Sequence, residues 1–159
     1  MVVGCCSPHL NNPTVNSKRK LEMDLMNIGK MKETTEVILY NPVNSEILMN
    51  EDGSEMSVTV YGPYSSKYKA ISHNQQNRRL MKAQRTGGKL NLSAEEIEAS
   101  AFDLLVKCVA DWDITLGGEK PECTEKMVRE VFEQLPWVRE QVDAALGDTQ
   151  SFLDRSNQN

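Results

Sequence analysis

Met56, Val58 and Val60 alternate with Ser57, Thr59 and Tyr61, the period-two pattern of a strand with one buried face. Upstream, the runs Val37-Ile38-Leu39-Tyr40 and Glu46-Ile47-Leu48-Met49 are separated by Asn41-Pro42, and Asp52-Gly53 precedes the alternating run. Asp-Gly suits a type I′ turn, whose two central positions both need positive φ. Residues 34–63 are therefore expected to form a small antiparallel meander of three strands ending at Gly62-Pro63. A lone hairpin is marginal in water, so this sheet needs a cover.

Beyond Pro63 the period changes to that of helices. Residues 65–85 predict a helix whose stripe, Tyr68, Ile71, Gln75 and Met81, is thin and interrupted by cations. Thr86-Gly87-Gly88 stops it or makes a hinge. Ser93-Ala94-Glu95-Glu96 reads as a capping box, opening a second helix with Ile97, Ala101, Leu104, Leu105, Cys108, Val109 and Trp112 as its core face. Gly117-Gly118 and Pro121 form a loop, and Thr124 caps a third helix with Met127, Val128, Val131, Phe132 and Leu135 inward. Pro136 either ends that helix or starts another, which carries Trp137, Val138, Gln141, Val142, Ala145 and Leu146. Asp148 is placed to cap a last turn bearing Phe152 and Leu153.

Taken together these elements predict an α+β fold, a small N-terminal antiparallel β meander followed by a mainly helical C-terminal bundle. The expected organisation is a mobile N-terminal arm over 1–33, the β segment over 34–63, a basic linker helix and hinge over 64–92, the helical domain over 93–153 and a frayed tail over 154–159. In the arm, Pro8, Asn11-Asn12-Pro13 and Lys18-Arg19-Lys20 favour turns and extended chain. Leu21, Leu25, Met26 and Ile28 either form a short helix or order only against a partner.

Composition adds limits on function. The chain has 159 residues, 39% hydrophobic and 26% charged, with a net charge of -5, enough for one domain with a modest core. No apolar run approaches the roughly 20 residues of a bilayer span. The first residues lack a basic and then apolar signal pattern, so a cytoplasmic location and no membrane partner are expected. Charge is segregated: between Pro63 and Leu92 there are Lys67, Lys69, Arg78, Arg79, Lys82, Arg85 and Lys89, and no acid. Such a patch is either a solvated face or suits phosphates, an acidic partner, or the acidic helices of this same chain. With Tyr68 the one aromatic between Lys67 and Lys89 and an acidic whole, nucleic acid is the less favoured of these.

Candidate chemistry is sparse, and an enzyme is not expected. Cys5, Cys6, Cys108 and Cys123 lack CxxC spacing, and Cys5, Cys6 and His9 fall short of a four-ligand zinc site. His73 lies in the basic helix with no nucleophile paired to it. Asp111, Asp113, Glu119 and Glu122 lack the spacing of a calcium loop, and Gly87-Gly88 and Gly117-Gly118 lack the Lys-Ser/Thr of a phosphate loop. No cofactor, metal or catalytic residue is expected. Trp112, Trp137 and Phe152 are large side chains that serve either as core or as interface anchors. With Lys67, Arg78, Arg79 and Lys82 they make up the candidate partner-binding set.

The order Asn41-Pro42, Asp52-Gly53, Trp112, Gly117-Gly118, Pro121/Thr124, Pro136-Trp137, Gln141-Val142 and Phe152-Leu153 resembles the tail assembly chaperone family of long-tailed bacteriophages, over residues 36 to 153. The arm falls outside that pattern. The resemblance implies a non-enzymatic factor of the host cytoplasm that binds the tape measure protein and keeps it soluble until the tail tube polymerises. It further implies possible contact with the tail tube protein and absence from the finished virion, and leaves homo-oligomerisation open. The alternatives are a structural virion protein, such as a tail completion or connector protein, and a nucleic-acid-binding regulator.

Overall fold

A computed structural model describes Gly4 and residues 29–88 and 92–153. Of the arm expected over 1–33, the part up to residue 28, with Cys5, Cys6 and His9, lies outside the described residues apart from Gly4, whereas Met31 pairs with Leu153 and Glu33 O accepts from Gly62 N, tying its end to the fold. Lys89 of the hinge and the tail from 154 also lie outside the described residues. Strand β1 (Thr34–Ile38) and strand β2 (Ser57–Tyr61) come first, then helices α1 (Ser66–Arg85) and α2 (Ala94–Cys108). Strand β3 (Val109–Asp113), helices α3 (Glu125–Gln134) and α4 (Pro136–Gly147), and a 3-10 turn over Thr149–Phe152 complete the order. The α+β class and the antiparallel sheet are as expected.

The third strand is not the expected one. The sheet runs β1-β2-β3, with Val37 opposite Val58 and Val58 opposite Trp112. Residues 46–49 contribute only the isolated bridges Tyr40 to Ile47 and Met49 to Glu55. The third place goes to Val109–Asp113, expected as the end of α2. Helical spacing did join Cys108, Val109 and Trp112, but Asp111 and Asp113 flanking Trp112 also fit period two. Register with β2 decides between them, because it lays Trp112 beside Val58, itself opposite Val37, on the buried face. A bulge between Thr59 and Val60 leaves Ala110 without an opposite residue.

The Asp52-Gly53 turn also departs from expectation. Only Gly53 has positive φ, at 84°, and its N–H donates to the Asn50 carbonyl at 3.0 Å. That is a type I turn followed by a left-handed residue, not type I′. The Asp52 side chain stabilises it by accepting from the Ser54 amide at 2.9 Å.

Local helix signals act where they were read. The Ser93 hydroxyl accepts from Glu96 N, and the Glu96 carboxylate accepts from Ser93 N, each at 3.2 Å. Thr124 caps α3, Pro136 is the first residue of α4, and Asp148 accepts from Gln150 N at 3.0 Å to start the last turn. Each cap satisfies a donor the helix cannot, an effect of about 1 kcal/mol.

One core joins the sheet to the helices. Val37, Val58, Val60 and Trp112 meet Leu105 and Val106 of α2, Val128, Val131 and Phe132 of α3, Val138 and Val142 of α4, and Phe152. Phe102 packs edge-on to Phe132 at 6.5 Å between centroids, with the Arg129 guanidinium 5.2 Å from its ring centre. Gln141 holds the end of β1: its amide accepts from Tyr40 N at 2.9 Å and donates to Tyr40 O at 2.8 Å. Strand edges are managed too. The turn at 151–153 covers β1, where Lys32 N donates to Phe152 O at 2.7 Å. On β3, Asp111 Oδ1 takes the Trp112 N–H at 2.8 Å.

Helix α1 stands apart from this core, with no buried residue along its length. Tyr68, Ile71, Ser72, Gln75, Arg79 and Ala83 are half-buried and recur every three or four residues, which defines its face toward α2. That interface is polar. Gln75 Nε2 donates to Ser100 O at 2.9 Å, and Lys82 pairs with Glu96. Beyond the sheet, α1 and α2 form a hairpin with little apolar contact.

Candidate partner-binding surface

The three large side chains of the candidate set do not lie on one accessible surface. Trp112 is buried in the core, and its indole Nε1 donates to Pro121 O at 2.9 Å. Phe152 is wholly buried. Trp137 is half-buried against the core beside Leu135. A partner reaches none of them as a protruding anchor.

The cations divide differently. Lys67, Arg78 and Lys82 are exposed on α1, whereas Arg79 is half-buried against α2 and its Nε is buried without an acceptor. Arg78, Arg79 and Lys82 line a groove of about 320 Å³ with Leu92, Glu96, Ala99 and Asp103. Lys82 is matched by Glu96, whose carboxyl that bond holds below the ordinary range, with help from the Ser93 amide. Asp103 is pulled upward by burial, yet its bonds with Lys107 and Arg129 outweigh this and leave it below the ordinary range. Among the described residues, Lys67, Lys69, Arg78 and Arg85 meet no carboxylate.

Exposed apolar groups accompany these cations, and the sequence pattern did not mark them as such. Leu80 and Met81 of α1 are each 61% exposed, and Ile97 of α2 is 52% exposed. Ile97 was expected to face the core. It continues the apolar stripe of α2, but the first turns of that helix meet α1 through polar contacts, and among the described residues Ile97 stays exposed. A second apolar patch, Tyr40, Val43, Ile47 and Met49, lies around the loop that replaces the expected middle strand.

A charged cluster ties the Asp52 turn to β3. Lys120 Nζ lies 2.7 Å from both Asp52 and Asp113, and the Ser54 hydroxyl donates to Asp52 at 2.6 Å. Buried Asn50 joins them, donating to Asp113 O at 3.3 Å and accepting from the Thr115 hydroxyl at 2.7 Å. The Lys120 bond, followed by those from Ser54, holds the Asp52 carboxyl well below the usual range. A carboxyl so depressed stabilises the fold above its unfolded value, near pH 4, and that contribution fades as pH falls toward the folded value. Lys120→Met is therefore expected to lower the urea midpoint at neutral pH and to flatten its fall below about pH 4. Added salt should narrow the gap, since the group is exposed. Parallel midpoint curves for the two proteins from neutral to acid pH would discard this account.

No nucleophile pair emerges among the described residues. Burial pushes the Cys108 thiol up to about 12 and the Cys123 thiol, with Asp111 nearby, up to about 11. Both are protonated at neutral pH, a poor state for attack or metal ligation. Among the described residues no three His, Cys, Asp or Glu side chains gather as a metal site, and no helix is long and apolar enough to cross a membrane. What the arrangement offers is a projecting helical hairpin that is basic, partly apolar and weakly packed. No protein-family model matches the chain, and no curated protein or solved structure gives a significant match.

Proposed function

We propose that this protein is a tail assembly chaperone of a long-tailed bacteriophage, which binds the tape measure protein in the host cytoplasm and releases it as the tail tube polymerises. The observation that carries this reading is the α1–α2 hairpin, where exposed Leu80, Met81 and Ile97 accompany cations that meet no carboxylate among the described residues. Such patches mark protein contacts. A long helical client presents apolar stripes that aggregate in water, and a small helical protein can mask them.

The residues that carry the family resemblance also have definite places in the fold. Gly117 and Gly118 take positive φ, Thr124 and Pro136 start helices, Gln141 clasps Tyr40, and Val142 and Phe152 are fully buried. A modest contact surface favours reversible binding, as a client destined for the tube requires.

Co-expression with the tape measure protein of the same phage tests the proposal. The expected result is a soluble, co-purifying complex, together with the absence of this chain from purified particles by mass spectrometry. An unchanged, insoluble tape measure protein would refute it, and a stoichiometric band in particles would favour a structural virion protein instead.

A further inference from the structure

The outward side of α1 is the best-defined unoccupied surface among the described residues. Ala70, His73, Asn77, Leu80 and Gln84 are all exposed and follow spacings of three and four, the seam against which a second helix packs. Met81 sits beside Leu80 on that seam. Lys67 and Lys69 near one end and Arg78 and Arg85 near the other flank it, with no acidic residue anywhere in α1. The side of α1 toward α2 is already in use, through Gln75, Arg79 and Lys82.

We infer that this face docks an acidic amphipathic helix of a partner protein, its apolar side on Leu80 and Met81 and its carboxylates on Lys67, Lys69, Arg78 and Arg85. Its client-helix character rests on the chaperone reading, whereas its charge rests on α1 alone. A second copy is a poor occupant, because α1 against α1 sets like charges across the seam. Duplex nucleic acid is a poor occupant as well, since Leu80 and Met81 stand between Arg78 and Arg85, where a duplex offers phosphates. With one Leu and one Met on the seam, the contact is weak and mainly electrostatic.

The test uses the full chain and three labelled probes in anisotropy titrations. These are a helical peptide of about 21 residues, or three heptads, with Leu on the seam and Glu elsewhere, the same peptide with Lys for Glu, and a DNA duplex of similar length. The acidic peptide should bind at least about tenfold tighter than the basic one and weaken as salt rises from about 50 to about 300 mM. Arg78→Glu with Arg85→Glu should weaken it about tenfold, as should Leu80→Ser with Met81→Ser, with thermal unfolding lowered by only about a few degrees because all four side chains are exposed. Equal binding of both peptides, no binding of the acidic one, insensitivity to either double substitution, tighter binding of duplex, or self-association lost on those substitutions would each overturn the inference. Should the acidic peptide bind while tape measure co-expression fails, the docking face stands and the chaperone function falls.

Discussion

Phe152→Ala is expected to destabilise the fold by about 3–5 kcal/mol, the range for truncating a fully buried phenylalanine. A drop of about 10 °C or more in the unfolding midpoint follows. The ring is wholly buried although it lies near the end of the described chain, in a 3-10 turn only four residues long. It rests on Gly62, so closely that a Cβ there would come within 2.5 Å of Cδ1 and 2.7 Å of Cε1. Around it, Lys32 N donates to Phe152 O and the Thr35 hydroxyl donates to Ser151 O at 2.9 Å, closing the free side of β1. Removing the ring opens a cavity where β2 hands the chain to α1, just before the Ser65 cap whose hydroxyl donates to Gly62 O at 2.7 Å. A loss below about 1 kcal/mol in urea unfolding, the size of a surface substitution, would contradict this placement.

The same contact makes a sharper claim about Gly62. Gly62→Ala alone should cost about 1–3 kcal/mol, because the added methyl overlaps a ring that has no room to retreat. Combined with Phe152→Ala the penalty should largely vanish, so the two substitutions couple by at least about 1 kcal/mol. Simple additivity would mean that glycine is needed there for some reason other than the ring.

Features decided within a few residues were legible in the sequence. The caps at Ser93, Thr124 and Asp148 and the start at Pro136 depend on donors one turn away, and each occurs where its residue type implies. What depended on a distant neighbour was not. Val109–Asp113 satisfies both helical and strand periods, and only pairing with β2, about 50 residues away, selects the strand. Ile97 shows the same limit from another side, since amphipathicity tells which face of a helix is apolar and not whether anything covers it. For the candidate surface, charge segregation marked α1 as basic but left open whether its cations meet solvent, a partner or this chain's own acidic helices; Lys82 pairs with Glu96 of α2 while Lys67 and Arg78 are exposed. Type alone did not separate exposed Arg78 from half-buried Arg79, nor core Trp112 from an interface anchor.

Trp112→Ala should rival Phe152→Ala, at about 3–5 kcal/mol. Trp112 is the side chain that ties the inserted strand to the sheet: it lies opposite Val58, and its indole reaches across to Pro121 O. An interface anchor would instead show intact stability and lost partner binding, so urea unfolding of the free protein separates the two roles. Trp112→Phe refines the test. It keeps an aromatic ring beside Val58 but removes the indole N–H, leaving the Pro121 carbonyl without that donor, a loss of about 1–3 kcal/mol. Alanine at 112 also weakens the β preference of the segment and favours helix, so α2 is then free to run on past Cys108. Circular dichroism below the unfolding transition should therefore show helix content raised in Trp112→Ala despite its lower stability. Unchanged helix content would mean that backbone pairing with β2, and not the indole, holds Val109–Asp113 in the sheet.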